Sequence, residues 1–324
     1  MQSDRLDKAL ATLNNNLGPI LHIERIEGGV NSKVYKIQMT CGAIFALKLY
    51  KPPSRKDKRK RHEIESLFLK HCQEQGIRVT TKVIYEEPNE YWAIHEWLDG
   101  EKPNKMNSKI IQEIIKFLKE LNRVPVSSSM FREIQASDNC LSTNDFIANI
   151  NRRLLSLNQL ILNRSSGRSV AALIEEKIIP WALKETILLK KKIDQKHWNA
   201  EKRIDLISPS DVGIHNILQT SNNTYFIDFE YAGRDEMAKL IGDWIHRPGQ
   251  NITKSLEEDF LNNFKASFPE GDSALLRYLD LKNIITIKWL IIKVNNLTKD
   301  NIYPATLLEE NIEEFLKKNI TQNE

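Results

Sequence analysis

The sequence predicts an α+β protein, with a small antiparallel sheet lobe at about residues 1–98 and a mostly helical lobe at about 99–324. Three observations predict this organisation. The first hundred residues contain five runs of strand-forming residues around one stretch with helical spacing. Apolar residues in the remainder recur mainly at helical spacing. A chain of 324 residues is also too long for one simple core and fits two packed lobes.

The predicted strands of the first lobe are separated by recognisable turns. Gly28-Gly29 and Cys41-Gly42 divide the first three strands, and Pro88-Asn89 lies between the last two. Apolar residues at 64, 67 and 68 have the spacing of a helix face. We therefore expect strands at 23–26, 34–37, 44–50, 79–85 and 91–97, and a helix at 62–72.

The second lobe shows helical periodicity with two short interruptions. Residues 110, 111, 114, 115, 118 and 121 are all apolar and fall on one face of a helix. Pro180 is expected to divide or kink a helical stretch, because proline lacks the backbone N–H. We expect helices at 110–121, 146–162, 170–189, 253–267, 273–296 and 305–318, β-like runs at 204–207 and 225–229, a flexible loop at 163–167 and a frayed tail at 321–324.

Composition favours a cytoplasmic globular protein. Hydrophobic residues make up 41%, charged residues 28%, and the net charge is +4, which argues against both disorder and a dedicated nucleic-acid binder. Three distant cysteines predict no disulfide framework and fit a reducing compartment. Residues 1–16 lack the apolar core of a signal peptide. The apolar stretch 284–294 is interrupted by Lys288 and Lys293, so it predicts a buried helix rather than a membrane span.

The strongest chemical pattern lies between residues 207 and 233. Asp211 is followed five residues later by Asn216, and Asp228 ends an apolar strand 12 residues further on, within Ile-Asp-Phe-Glu-Tyr-Ala-Gly. Phosphoryl transfer from ATP requires magnesium on hard oxygen ligands and an acid that orients the acceptor hydroxyl. The alternative is two polar loops beside a short strand. An Asp-x4-Asn pair alone is common by chance, but the second motif at this distance favours a phosphotransferase.

Upstream residues fit the same chemistry in the expected order. In segment 27–32, glycines allow backbone amides to approach phosphates, although hairpin turns also use such pairs. Lys48 is the only cation inside the third strand, where it either extends from an edge strand or binds phosphates and pairs with a helix carboxylate. Glu63 and Glu65 are the candidate partners, and Glu63 is preferred because it lies one turn before Leu67.

With these residues in place, the chain resembles the aminoglycoside phosphotransferase and choline kinase superfamily, which has the protein-kinase fold in two lobes. The resemblance spans nearly the whole chain, and its specific parts are the segments around Asp211 and Asp228. It implies an ATP- and Mg²⁺-dependent kinase acting on a small-molecule hydroxyl. Asp211 would be the catalytic base, and Asn216 and Asp228 the metal ligands. The implied nucleotide-binding residues are Gly28, Gly29, Ser32, Lys48 with its partner Glu63, and the adenine-binding hinge from Glu96 to Leu98.

Two departures from the family pattern keep an alternative open. Pro209 stands where the family usually has a histidine, and His215 stands where it has a small residue. His215 would either contact substrate or phosphate, or pack against the loop. A catalytically inactive nucleotide-binding scaffold of the same fold is therefore the second hypothesis, and a protein kinase is disfavoured because no Ala-Pro-Glu-like segment follows Asp228. Candidate acceptors are amino alcohols, sugars, aminoglycosides and nucleosides. The sequence leaves oligomeric state undetermined.

Two further features have both a structural and a functional interpretation. Segment 51–61 carries seven basic residues and one acid, which favours a solvated loop over an acidic-partner site. Trp244, Trp289 and Tyr231 are either core residues or the walls of a substrate pocket. Asp243, within Gly242-Asp243-Trp244, resembles a family position that supports the catalytic loop, which implies a structural rather than a catalytic role.

Overall fold

The computed structural model describes residues 2–27, 31–55, 57–162, 168–195 and 203–299, together with 310, 312–315 and 317. Contacts divide the chain into two compact units. The sheet unit comprises Met1–Lys105, Lys116–Ser137 and Ile207–Gly233. The helical unit comprises Met106–Ile115, Asp138–Leu206 and Arg234–Glu324. The predicted lobe boundary near residue 98 stays a prediction.

Five antiparallel strands form the sheet of the sheet unit, in the order β1-β2-β3-β5-β4. Lys48 lies in the central strand β3, where it pairs with Val34 on one side and Ala93 on the other. The sheet and the helix α2, which follows β3 in the chain, confirm the predicted α+β fold. Their bounds are β1 Ile20–Ile26, β2 Ser32–Met39, β3 Ile44–Tyr50, α2 Arg61–Glu74, β4 Val83–Glu87 and β5 Trp92–Glu96.

An N-terminal helix, α1 (Gln2–Leu17), covers part of this sheet and was not predicted. Ala9 and Leu13 are fully buried and share a core cluster with residues of β2, β3 and β5. Arg5 adds hydrogen bonds to the carbonyls of Tyr50, Glu90 and Tyr91. The leucines at 6, 10, 13 and 17 have helical spacing and could have revealed the helix.

The parts of the sheet unit that come from later in the chain add a small hairpin and an aromatic core. Helix α3 (Ser108–Leu121) ends in this unit. Strands β7 (Ile217–Gln219) and β8 (Thr224–Phe226) pair antiparallel, and Ile217 lies opposite Phe226. The rings of five phenylalanines pack on one another at β8 and the segment that follows it: Phe68, Phe117, Phe131, Phe226 and Phe229.

The helical unit is built around a long C-terminal helix that buries the apolar stretch 284–294, as predicted. A π-helical turn precedes the helix that contains Pro180, so the expected division of that helical stretch is observed. The helix at Met237–His246, α7, was not predicted. Bounds are α4 Thr143–Leu162, α5 Arg168–Leu173, α6 Ile179–Gln195, β6 Asp205–Ser208, β9 Gly233–Glu236, α7 Met237–His246, α8 Lys254–Ser267 and α9 Gly271–Lys299, with β6 paired to β9.

Some predicted features lie outside the described residues. These are the loop at 163–167, the tail at 321–324 and most of the helix expected at 305–318, of which 312–315 are helical. Within the described ranges, every helix is too short or too polar to serve as a membrane span.

Candidate active site

The centre of the candidate site is Lys48, whose ammonium contacts two carboxylates of the sheet unit. Its Nζ lies 2.6 Å from Glu65 Oε2 on α2 and 2.6 Å from Asp228 Oδ1, two residues after β8. The Lys48 side chain is 9% exposed and that of Glu65 3%, whereas Asp228 is 42% exposed. The lysine therefore joins a buried acid to an accessible one.

Glu65, and not the expected Glu63, is the helix partner of Lys48. Glu63 is exposed and hydrogen-bonds Lys60. The preference for Glu63 was wrong because it depended on Leu67, which is only half-buried. Glu65 shares its helix face with the buried residues three, four and seven positions later, namely Phe68, Leu69 and Cys72.

Electrostatic interactions keep both Lys48 and Asp228 ionised. Burial would lower the pKa of Lys48, but the charges of Asp228 and Glu65 outweigh burial and raise it above its ordinary value. Burial likewise opposes ionisation of Asp228, yet the charge and hydrogen bond of Lys48 hold the pKa of that carboxyl below its ordinary value. At neutral pH the site therefore presents an ionised carboxylate at Asp228 and a fixed ammonium at Lys48.

The loop from Asp211 to Asn216 is bound to the same segment. Asn216 donates its side-chain N–H to the Asp211 carbonyl at 3.1 Å, which leaves the amide oxygen of Asn216 as the available ligand atom. Its backbone carbonyl accepts a hydrogen bond from Ile227 at 3.0 Å, directly before Asp228. Asp211, Asn216 and Asp228 thus lie on two bonded segments of one unit. His215 Nε2 is 3.4 Å from Asp211 Oδ1, so His215 contacts the predicted base.

Support for this loop comes from residues that sequence reasoning did not single out. Asn122 accepts from the backbone N–H of Ile207 at 2.7 Å and donates to its carbonyl at 3.0 Å, in the manner of a neighbouring strand. Ser208 Oγ accepts from Ser210 N at 2.9 Å, beside Pro209. The loop therefore has internal support on both sides of Pro209.

Two backbone features explain the motif around Asp228. Asp228 itself has a φ of 67°, a left-handed conformation that is unfavourable for a residue with a Cβ. Gly233 ends the motif for a different reason: a Cβ at this position would overlap the backbone of Gln135 and Ala136. The motif thus combines a strained metal-ligand candidate with a close backbone approach.

The structure describes some, but not all, of the remaining residues that are predicted to bind the nucleotide. Gly28 and Gly29 lie outside the described residues. The Ser32 hydroxyl donates to Glu230 Oε2 at 2.6 Å. Glu96 donates its backbone N–H to the Lys82 carbonyl, and its own carbonyl accepts from the Thr81 hydroxyl. A carbonyl oxygen has two lone pairs, so the Glu96 carbonyl keeps one for a further donor.

The oxygen donors of the site fit magnesium. Asp228 has one carboxylate oxygen on Lys48 and a second that is not used by that bond, and Asn216 supplies an amide oxygen. Magnesium is usually held by one or two protein oxygens together with phosphate oxygens and water. Within the described residues, His, Cys, Asp and Glu side chains form no group of three that could hold a metal ion on their own.

Aromatic residues considered for a substrate pocket already have partners within their own units. Such partners leave less ring surface for a cationic ligand. The partners are Arg59 and Arg61 for Tyr231, Phe260 for Trp244, and Arg247 and Lys288 for Trp289.

Solved structures of small-molecule kinases are similar to this chain. Plasmodium vivax ethanolamine kinase matches with a TM-score of 0.65 at 15% identity, over 95% of this chain and 85% of its own. Choline kinase LicA from Streptococcus pneumoniae has a TM-score of 0.62 at 13% identity, covering 97% and 99% of the two chains. Spectinomycin phosphotransferase, in complex with ADP and spectinomycin, has a TM-score of 0.63 at 14% identity, covering 95% and 93%. The chain has the fold of these kinases.

The kinase-like fold that the sequence predicts is thereby confirmed. No protein-family model matches the chain, and no curated protein sequence matches it. At identities this low, a shared fold leaves the reaction and the substrate to be argued from the site itself.

Proposed function

We propose that the protein is an ATP- and Mg²⁺-dependent phosphotransferase that phosphorylates a hydroxyl of a small molecule, such as an amino alcohol, a sugar or an aminoglycoside-like compound. The observation that carries the proposal is the contact of Lys48 with both Glu65 and Asp228 at 2.6 Å. A buried structural lysine can also contact two carboxylates, but here the second carboxylate is partly exposed. An accessible carboxylate beside a buried ammonium is suited to binding metal and phosphate.

Each residue has a distinct role in the proposed reaction. Lys48 holds the α and β phosphates, and Asn216 and Asp228 hold magnesium, which when bound neutralises charge on the phosphates. Asp211 orients the acceptor hydroxyl and accepts its proton. The acceptor oxygen bonds to the γ-phosphorus as the bond from that phosphorus to the bridging oxygen breaks, and ADP leaves. Transfer is direct, without a phosphorylated enzyme.

The nucleotide end of the site completes the proposal. The backbone from Glu96 to Leu98 would bind adenine, and the amides near Gly28 and Gly29 would approach the phosphates. The ADP complex of the structurally similar spectinomycin phosphotransferase supports nucleotide binding by this fold. We expect the protein to act in the cytoplasm, where ATP is supplied.

One observation favours the second candidate, an inactive nucleotide-binding scaffold. His215 Nε2 lies 3.4 Å from Asp211 Oδ1, so a hydrogen bond between them would compete with the acceptor hydroxyl for that carboxylate. The scaffold predicts nucleotide binding without turnover of any acceptor. The phosphotransferase predicts magnesium-dependent turnover that requires Asp211.

The test is an ATP-consumption screen against a panel of hydroxyl compounds, with and without magnesium. Wild type should turn over at least one acceptor, and Asp211→Ala should lower the rate by about three orders of magnitude. Asp7→Ala, an exposed aspartate on α1, is the matched control and should retain the wild-type rate. Full activity of Asp211→Ala would disprove its role as the base, and ADP binding without turnover would favour the scaffold.

A further inference from the structure

Glu230 is a buried acid that the proposed reaction does not use. It is 3% exposed. Its Oε2 accepts a hydrogen bond from Ser32 Oγ at 2.6 Å, and its Oε1 lies 3.3 Å from Arg61 Nε. Ser32 begins β2, and Arg61 begins α2. One carboxylate therefore hydrogen-bonds the start of a sheet strand and forms an ion pair with the start of the helix that carries Glu65.

The bonds of Glu230 belong to a series in which three consecutive residues after Asp228 are each held. The Phe229 N–H donates to Glu65 Oε1 at 3.2 Å. Glu230 accepts the hydrogen bond of Ser32 and forms an ion pair with Arg61. The Tyr231 hydroxyl accepts from the side chain of Asn31, the residue before Ser32. The chain from Phe229 to Tyr231 is thus bonded both to α2 and to the entry of β2.

This series explains how Asp228 keeps its unfavourable backbone. A left-handed residue with a Cβ costs about 1–3 kcal/mol and persists only where its surroundings fix it. Such strain is found where a side chain must be aimed. The contacts made by residues 229–231 hold the backbone that follows Asp228. They also connect this backbone to Ser32, which lies two residues before Val34, the β2 partner of Lys48.

We propose that Glu230 is a positioning residue for nucleotide binding, which fixes the entry of β2, at Ser32, to the segment that aims Asp228. The inference rests on the proposed function, because it assigns Glu230 to the same nucleotide and metal site. It differs from the expectation that Ser32 itself binds the nucleotide. Here the Ser32 hydroxyl acts through Glu230, so removal of either group removes the same link.

A double-mutant cycle tests this link through binding, without any need for turnover. The measurement is calorimetric titration of ADP in the presence of magnesium, with wild type, Ser32→Ala, Glu230→Ala and the double variant. Ser32→Ala should weaken binding about fivefold in the wild-type background and less than about twofold in the Glu230→Ala background. Glu230→Gln keeps an acceptor oxygen for Ser32 and should therefore retain most of the wild-type affinity for ADP that Glu230→Ala loses.

Control variants separate positioning from loss of folding. Glu63→Ala removes an exposed glutamate from α2, the helix that carries Glu65, and should leave ADP affinity unchanged. Arg61 keeps Asp57 as a partner at 2.6 Å when Glu230 is replaced, so the variants are expected to fold. If circular dichroism shows that Glu230→Ala is unfolded, Glu230→Met replaces it in the cycle, since it fills the space without an acceptor.

Turnover adds a second readout. Glu230→Ala should raise KM for ATP and lower kcat, with KM for the acceptor unchanged, whereas general destabilisation would leave both KM values near wild type. Additive effects of Ser32→Ala and Glu230→Ala on ADP affinity would overturn the inference alone. Absence of any ADP binding by folded wild type would overturn the proposed function and the inference together.

Discussion

Both units of the protein bury a cluster of ionised side chains, and the two clusters differ in what they leave open. In the sheet unit, the Asp228 side chain is 42% exposed beside the buried Lys48. In the helical unit, Lys239 and Asp235 are 2% and 1% exposed and lie 2.6 Å apart. We call these the sheet-unit cluster (Lys48, Arg61, Glu65, Asp228, Glu230) and the helical-unit cluster (Asp235, Lys239, Asp243, Lys288).

The difference in exposure distinguishes a candidate ligand site from a structural network. Asp243 accepts from Lys288 and Trp289 and lies 2.9 Å from Lys239, so its pKa is lowered to about 2 despite burial. At Asp235, the effect of burial exceeds that of the positive charge of Lys239, so the pKa of the carboxyl is raised to about 6. All four members of the helical-unit cluster are nearly inaccessible. Such a cluster can stabilise the fold, whereas the exposed Asp228 oxygen can bind a ligand.

The largest expected effect is on activity, in the sheet-unit cluster. Asp228→Asn removes the accessible charge while Lys48 keeps Glu65, so transfer should fall by about three orders of magnitude with the fold retained. The free energy of unfolding in urea should change by less than about 1 kcal/mol, because the Asp228 side chain is partly exposed. If Asp228→Asn keeps the wild-type transfer rate, Asp228 is not a ligand of the proposed metal site.

A stability effect is expected in the helical-unit cluster. Asp243→Asn leaves Lys239 and Lys288 buried with one carboxylate fewer, which should lower the free energy of unfolding by about 3–5 kcal/mol. The matched control is Asp280→Asn, which breaks the exposed pair with Lys192 and should cost less than about 1 kcal/mol. Urea unfolding curves measure both. Equal losses in the two variants would contradict the structural role of the cluster.

The smallest expected effect concerns acid stability near the sheet-unit cluster. Burial, together with the charge of Lys48, lowers the pKa of His95 from 6.5 to about 3. The unfolded chain therefore binds a proton that the folded protein does not, so this stability is full above pH 6.5 and declines as pH falls from 6.5 towards 3. At pH 5 the loss from His95 is about 2 kcal/mol.

A comparison of unfolding free energies at pH 7 and pH 5 measures this effect. His95→Gln should lose about 2 kcal/mol less than wild type between the two pH values. His22→Gln replaces an exposed histidine on β1 and should behave like wild type. Parallel losses in wild type and His95→Gln would show that His95 titrates normally in the folded protein.

The sequence predicted the elements whose signal is local. Alternation and turn residues predicted the five strands around Lys48, and periodicity predicted the apolar helix at 284–294. The motif spacing placed Asp211, Asn216 and Asp228 together, since residues on adjacent segments joined by a short hairpin stay close. The helix α1 was missed although its leucines have helical spacing, because this segment was considered only as a possible signal peptide.

Other parts of the site depended on contacts between distant segments. Both glutamates of α2 fitted the sequence pattern, and only the packing of Phe68, Leu69 and Cys72 decided that Glu65 faces Lys48. Glu230 was visible within the motif, but its bond to Ser32 joins residues 198 positions apart. Asn122 lies 85 positions from Ile207, which it supports.

By itself, the sequence determined the fold class, and it supplied the acids, amide and lysine proposed for phosphoryl transfer, because period, turn chemistry and motif spacing are properties of neighbouring residues. The tertiary structure alone decided which carboxylate Lys48 contacts, which acid remains accessible and which bonds hold Asp228 in its left-handed conformation. The reason is physical: burial and electrostatic pairing depend on side chains brought together by folding, and no local pattern specifies them.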